Sequence, residues 1–208
     1  MRERVQLKKD AKSQLKGKRG TAALMMLLTM VIAFIPNICE FFIDSSTVQV
    51  ILCLVVQIYV ALLSIGFLLF YRAVNRNEEV SVGILFSGTG YYLKGFGIIF
   101  LAQLITIIGY ILLVIPGIMA TFAYSQALYI YINNPEMGVI ECLRTSRLAM
   151  KGHKWELFVL KFSFIGWTIA CVFTLGILSL YVVPYIGITL YNYYSDVIED
   201  YRGKTIAE

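Results

Sequence analysis

Residues 144–167 read RTSRLAMKGHKWELFVLKFSFIGW, a basic stretch that continues through Lys151-Gly152 directly into an apolar run. The same order of features occurs twice earlier, where QLKG at 14–17 and YLKG at 92–95 also lie directly before long apolar runs. A run of about twenty apolar residues is long enough to cross a bilayer as an α-helix. The repeated order therefore predicts an all-α, polytopic membrane protein made of three similar units.

The composition also favours a membrane protein. Apolar residues make up 59% of the 208 residues and charged residues 15%, whereas a soluble domain is about half apolar and about a quarter charged. The formal net charge is +5, but the basic residues lie at the ends of apolar runs, where they meet anionic lipid head groups. We therefore expect contact with the lipid bilayer and its anionic head groups. We expect no nucleic-acid binding, because no soluble domain remains to carry it.

Six apolar runs predict six transmembrane helices, which form three hairpins in a single integral membrane domain over residues 1–208. The block 96–132 is too long for one span, so Pro116-Gly117 near its middle is expected to form a tight turn. Backbone groups must be paired in lipid, so this turn belongs at a membrane surface or under protein. The predicted spans are about 21–43, 48–71, 96–114, 118–132, 157–180 and 184–198.

The segments that precede the hairpins are predicted to contain interfacial helices. Residues 1–20 carry eight Lys or Arg and two acids beside a thin apolar edge. This segment either binds lipid or is a solvated tail that holds the N-terminus inside, and we expect a combination of the two. Residues 78–90 are expected to contain a second, short interfacial helix. Asn134 and Pro135 are typical of a helix start and Gly152 of a helix end, which predicts a third.

The distribution of Lys and Arg predicts the orientation of these helices. The connections 37–47, 115–117 and 181–183 contain neither residue, whereas every other loop or tail contains some. By the positive-inside rule, both termini and the interfacial helices then lie on the cytoplasmic side. The residues expected to anchor the chain at that membrane surface are Lys16, Lys94, Arg144, Arg147, Lys151, His153, Lys154 and Trp155.

The sequence contains no arrangement of residues that is typical of catalysis or of cofactor binding. Motifs such as HExxH, GxSxG and the P-loop do not occur. The four cysteines are scattered, and the only histidine, His153, is flanked by Lys154 and Trp155 as a membrane-interface residue would be. A zinc site or a disulfide framework needs clustered ligands. We therefore expect no enzyme activity, no metal and no cofactor.

Polar residues inside the predicted spans are the remaining candidates for a function. Lys161 lies about two helical turns inside the fifth span, where a charge is costly. Its ammonium either reaches the cytoplasmic face along its own stem or pairs with Asp196 or Asn192 of the sixth span. The other polar residues either tie helices together by hydrogen bonds or line a small polar cavity. The candidate cavity residues are Gln57, Gln103, Gln126, Lys161, Asn192 and Asp196.

A longer motif runs through the C-terminal half of the chain. It includes YS (124–125), NP (134–135), SR (146–147), MKGHKW (150–155), LF (157–158), SFIGW (163–167), TLGI (174–177) and PY (184–185), and IPG at 115–117 fits it. This half resembles a bacterial membrane family known only as a domain of unknown function, number nine-seven-five. The resemblance covers roughly residues 114–194 well and the N-terminal half in outline. It implies a polytopic bacterial inner-membrane protein without an established activity, and it supplies no catalytic residues.

These observations predict a non-enzymatic protein of the bacterial cell (inner) membrane. Its expected role is that of an accessory, interaction or regulatory component, with lipid and other membrane proteins as partners. The alternative is a small-molecule or ion transporter with a polar intramembrane cavity. Polar side chains that face separate helix contacts, with no continuous cavity, would count against transport.

Overall fold

The computed structural model describes residues 2–42 and 46–207, with all side chains in these ranges except those of residues 36–42, 46, 57, 89 and 205–207. The secondary structure of the described residues is helical, which confirms the predicted all-α class. The α-helices are α1 (Arg4–Gln14), α2 (Arg19–Phe42), α3 (Ser46–Asn75), α4 (Tyr92–Leu112), α5 (Val114–Tyr124), α6 (Ala127–Asn133), α7 (Val139–Ala149), α8 (Lys154–Phe162), α9 (Ile165–Phe173) and α10 (Ser179–Ala207).

Several of these helices are long and apolar enough to cross a membrane. In the described part of the chain, Thr47–Asn75, Tyr92–Leu112 and Lys154–Phe173 have the required length and composition, and the last of these joins α8 to α9. A fourth span is counted if α1 and Arg19–Ile35, which meet at an angle of 92°, are taken together. The helices therefore support three or four spans, fewer than the six expected from the apolar runs.

Two of the predicted spans are divided into shorter helices. Residues 118–132 fall on α5 and α6 with a break at Ser125, and residues 157–180 fall on α8, α9 and the start of α10 with a break at Ser163. Each serine hydroxyl donates to the carbonyl oxygen three residues before it. Such a bond competes with the helical hydrogen bonds, and apolar composition alone does not reveal it. The run 184–198 lies within α10, which is continuous to Ala207.

The turn of the middle hairpin was predicted at Pro116-Gly117, but it lies at Leu113, one residue before α5. Leu113 has an extended backbone (φ −166°, ψ 151°) and separates α4 from α5. Pro116 is in the first turn of α5, where its missing amide hydrogen breaks no helical bond. Gly117 instead allows the two helices to approach, because a Cβ built on Gly109 would lie 3.0 Å from the Gly117 Cα atom.

The predicted third interfacial helix exists as α7, but its start was predicted too early. It begins at Val139 after Gly138, whose amide hydrogen is donated to a carboxylate oxygen of Glu141 (3.4 Å). Asn134 ends α6 instead of starting α7. The predicted helix end is confirmed, since Gly152 follows α7 with φ +92°, a left-handed conformation that favours glycine.

The connection between α3 and α4 packs closely on α3. It contains two 3-10 helices, Val82–Leu85 and Ser87–Tyr91, and Leu85 is fully buried. Gly66 of α3 lies directly under the Leu85 carbonyl group. The interfacial segment predicted at 78–90 is thus helical, and it is fixed to the first hairpin by backbone contact.

The second half of α10 forms the centre of the larger core. Tyr191, Tyr193 and Tyr194 are buried there, and the ring of Tyr129 from α6 meets that of Tyr191 edge-on at 4.7 Å between centroids. Edge-to-face contacts of this kind stabilise aromatic pairs beyond the area that they bury. This core brings α6, α7 and α8 together with α10.

Candidate functional site

A partly buried hydrogen-bonded cluster joins α1, α3 and α10 around Asn192. The side-chain nitrogen of Asn75 donates to the Asn192 side-chain oxygen (2.7 Å), and the Asn192 nitrogen donates to the Gln14 side-chain oxygen (2.9 Å). Asn192 is fully buried, so both ends of its amide need these partners. Its polar atoms therefore hold three helices together.

Asp196, one turn further along α10, is paired with the N-terminus. The Arg2 guanidinium donates to Asp196 through Nη2 (2.6 Å) and Nε (3.0 Å), and it also contacts Asp10 (3.1 Å). The hydrogen bond to Asp196 is the main cause that raises the pKa of Arg2 above its ordinary value, and the charge is retained. This contact and the buried side chains of Leu7, Ala11 and Leu15 fix α1 on the protein.

The expected pairing of Lys161 with Asp196 or Asn192 does not occur in the structure. The Lys161 ammonium lies over the ring of Phe122 on α5, at 5.5 Å from its centroid. This position is typical of a cation–π contact. The carboxylate and the amide that were expected to receive Lys161 are taken by Arg2, Asn75 and Gln14.

Gln126 is a contact between helices. It is fully buried at the break between α5 and α6, and its side-chain nitrogen lies 2.7 Å from the Met150 sulfur. Its backbone amide donates to the Ser146 hydroxyl (3.3 Å), which in turn donates to the Ala123 carbonyl oxygen (2.8 Å). Among the described residues the Gln126 side-chain oxygen has no hydrogen-bond partner. The side chain thus joins α7 to the broken α5–α6 segment.

The candidate cavity residues line separate clefts. Asp196 lines a polar one of about 570 Å³ together with Arg2, Glu199 and Asp200, and Gln103 lines a mostly apolar one of about 230 Å³ between α4 and α5. The Gln57 side chain lies outside the described part of the chain. The six candidates thus do not gather in one continuous cavity within the described residues. The cleft beside Gln103 is also lined by polar residues that were not predicted from the sequence, namely Thr106, Thr121, Tyr124 and Ser125.

A larger groove of about 740 Å³ lies between α1 and α8. Trp155, predicted as an interface anchor, lies in it with 72% of its surface exposed. Arg4 and Lys8 were not singled out from the sequence, although their spacing of four residues places them on one helix face. The lining residues are Arg2, Glu3, Arg4, Val5, Leu7, Lys8, Trp155, Glu156, Val159, Ser163 and Tyr193.

The other predicted anchors lie at or near the ends of helices, except Arg144, which is in the middle of α7. The Lys94 ammonium donates to the Pro135 carbonyl oxygen (3.4 Å), and His153 lies between Glu156 (3.1 Å) and Asp200 (3.3 Å). A hydrogen bond from Lys204, with a smaller contribution from His153, lowers the pKa of the Asp200 carboxyl group. His153 and Lys154 are half-buried, and the exposed anchors in this group are Lys16, Lys94, Arg144, Arg147 and Lys151. No three metal-ligating side chains converge within the described ranges.

The fold and these contacts define a helical protein with several membrane-length apolar helices and a docked, basic N-terminal helix. The chain belongs to the family described as "Protein of unknown function (DUF975)", whose model matches residues 93–200. The resemblance expected from the C-terminal motif is therefore confirmed, and the match extends back to the start of α4. The chain matches no curated protein and no solved structure.

Proposed function

We propose that this protein is a non-enzymatic component of the bacterial cell membrane that acts as an accessory or regulatory partner of other membrane proteins. The observation that carries the proposal is the use of its polar side chains. Asn192 and Gln126 are consumed by contacts between helices, and Lys161 lies on an aromatic ring. The exposed surface of the protein then consists of a large apolar part and a basic part. These surfaces fit lipid and the helices of neighbouring membrane proteins.

The proposed architecture is six membrane segments in three hairpins, with both termini on the cytoplasmic side. No Lys or Arg occurs at 113 or 174–178, which separate the two helices of the second and third hairpins, or at positions 43–45 of the sequence. The turns found at 113 and 174–178 differ from those expected, but they keep the charge pattern and therefore support the same orientation.

The third hairpin has one unusual feature. The Lys8 ammonium lies over the ring of Phe164, and the Arg19 guanidinium lies over the ring of Tyr181. Cations from the cytoplasmic segment thus reach residues that were expected deep in the fifth span and just before the sixth. Gly20 and Ala23 of α2 line one cleft with Thr174 and Ile177, so the turn at 174–178 lies beside the start of α2 and the contact is more than the reach of a long side chain. A direct test of the topology should therefore include the turn at 174–178.

Cysteine labelling tests the proposed topology. In a variant without the four native cysteines, Leu175→Cys is expected to react with a membrane-impermeant maleimide in intact cells, because Leu175 is 94% exposed in the outer turn. Lys16→Cys and Lys151→Cys, both at exposed positions, are expected to react only after the cells are permeabilised. Labelling of Lys151→Cys in intact cells would contradict the orientation. Protection of Leu175→Cys would show that the third hairpin does not cross the membrane.

Cross-linking in native membranes tests the proposed role. We expect a photoreactive amino acid at an outward-facing position of α4, Ile111 (79% exposed), to form specific adducts with another membrane protein. The matched control is the same probe at the buried position Ile98 of α4. A lone monomer without adducts would contradict the accessory role. Solute flux into proteoliposomes that is lost in Gln103→Leu would instead support the transporter alternative, through the cleft between α4 and α5.

A further inference from the structure

The groove between α1 and α8 contains two cations without a paired carboxylate. In the described part of the chain Arg4 and Lys8 form no salt bridge, whereas Arg2, at the same end of the groove, is neutralised by Asp10 and Asp196. Lys8 is half-buried, and a cation at such a site is costly unless an opposite charge accompanies it, whereas Arg4 is exposed and free to meet a ligand. Arg4 and Lys8 therefore leave a place for an external anion.

Lys8 is the more enclosed of the two cations. Its ammonium lies 4.3 Å from the centroid of the Phe164 ring and 3.4 Å from the Ser163 carbonyl oxygen, so α8 and the start of α9 hold it in position. These contacts leave part of the hydrogen-bonding capacity of the ammonium unused, because it has three donors. Lys8 is thus fixed at the wall of the groove and does not extend freely into solvent.

An exposed aromatic stripe on α8 begins at Trp155, which lines the groove, and continues to Phe158 and Phe162, which lie beside it. Trp155, Phe158 and Phe162 are 72%, 39% and 58% exposed, and their rings stack in sequence at 5.2 and 6.0 Å between centroids. Aromatic side chains of this kind, beside basic groups, are typical of the boundary between head groups and acyl chains. The groove therefore offers phosphate-binding cations next to a surface that suits an acyl chain.

We propose that this groove binds one anionic phospholipid, with its phosphodiester on Arg4 and Lys8 and an acyl chain along Trp155, Phe158 and Phe162. The inference deepens the proposed function and rests on it for the position of the groove at the inner leaflet. The volume of about 740 Å³ lies in the range of ordinary ligand sites. Glu3 and Glu156 also line the groove and favour a head group that offers hydroxyl donors over a bare phosphate ion.

Fluorescence of Trp155 in the purified full chain measures this binding. The chain has two tryptophans, so Trp167→Phe leaves Trp155 as the only reporter. In a neutral detergent, dihexanoyl phosphatidylglycerol is expected to change the emission with saturation. Dihexanoyl phosphatidylcholine and inorganic phosphate are expected to bind at least about tenfold more weakly. Equal binding of the choline lipid would overturn the selection for an anion, and equal binding of phosphate would overturn the assignment to a lipid.

Charge-matched variants distinguish a site from a diffuse basic surface. Arg4→Gln with Lys8→Gln is expected to weaken phosphatidylglycerol binding by about tenfold or more. Lys9→Gln with Lys12→Gln removes the same charge from exposed positions of α1 outside the groove, and should change binding by no more than about twofold. Equal weakening in both pairs would overturn the site. Thermal unfolding of each variant shows whether it is folded, and Lys8→Arg is expected to retain binding.

The outcomes separate this inference from the proposed function. Saturable phosphatidylglycerol binding without cross-linked neighbours would leave the lipid site intact and remove the accessory role. Cross-linked neighbours without saturable binding would remove the lipid site only.

Discussion

Gly66→Ala is expected to destabilise the protein by about 3 kcal/mol or more, or to leave no folded protein after extraction. A Cβ built on Gly66 would lie 2.1 Å from the Leu85 carbonyl oxygen and 2.7 Å from its carbon. The obstacle is backbone, so no side-chain rotation can relieve it. Leu85 is fully buried, and the 3-10 helix Val82–Leu85 would have to leave α3. The effect is measured by thermal unfolding in detergent, in which the fraction of protein that remains folded is recorded at each temperature.

Gly97→Ala is the matched control for this substitution. Gly97 is also inside an apolar helix, but a Cβ there would meet the Val139 side chain at 3.5 Å, an ordinary van der Waals distance. Because alanine is the better helix former, we expect no loss of stability, or a gain of up to about 1 kcal/mol. Equal melting of the two variants would mean that the connection between α3 and α4 does not pack on Gly66.

The apolar runs of the N-terminal half predicted its long helices well. The spans expected at 21–43, 48–71 and 96–114 correspond to α2, α3 and α4, with bounds that differ by a few residues. Lipid requires a continuous stretch of apolar residues with internal backbone hydrogen bonds, so the helix is visible directly in the sequence. Gly152 was predictable for a similar reason, since a left-handed backbone conformation favours one residue type.

The breaks in the C-terminal half could not be predicted in this way. Ser125 and Ser163 lie inside apolar runs. A serine hydroxyl in a helix more often donates to a carbonyl oxygen of the preceding turn without interrupting the helix. The neighbours of Lys161 also depend on contacts between distant parts of the chain, because Asp196 is taken by Arg2. Lys161 therefore lies on Phe122, although the linear sequence places it opposite Asp196.

The candidate site depends on a contact that local patterns do not contain. Arg2 and Asp196 are 194 residues apart in the chain, and their pairing brings α1 onto α10. Only this docking creates the groove with Arg4 and Lys8 on one side and Trp155 on the other. From the sequence, Trp155 was predictable as an interface residue, but its partners across the groove were not.

Asn192→Ala is expected to cost about 2–4 kcal/mol of stability, the largest loss for any polar substitution that we predict in this protein. The change removes both hydrogen bonds that Asn192 makes to Asn75 and Gln14, and leaves those two side chains without these partners at a contact of three helices. The loss combines the two hydrogen bonds, the partial desolvation of the half-buried Asn75 and Gln14, and the cavity left by the fully buried Asn192 side chain.

Two further variants decide whether this loss comes from the network. Glu199→Ala, on an exposed face of α10, should change stability by less than about 0.5 kcal/mol. Replacement of Gln14, Asn75 and Asn192 together by leucine removes all three polar groups, so it should destabilise the protein less than Asn192→Ala if the new side chains fit. A triple variant with losses equal to the sum of three single substitutions would show that the amides act independently. If the triple variant is more stable than Asn192→Ala, the three residues join α1, α3 and α10 as one unit. The position of Arg4 and Lys8 in the groove depends on this unit, because both residues are on α1.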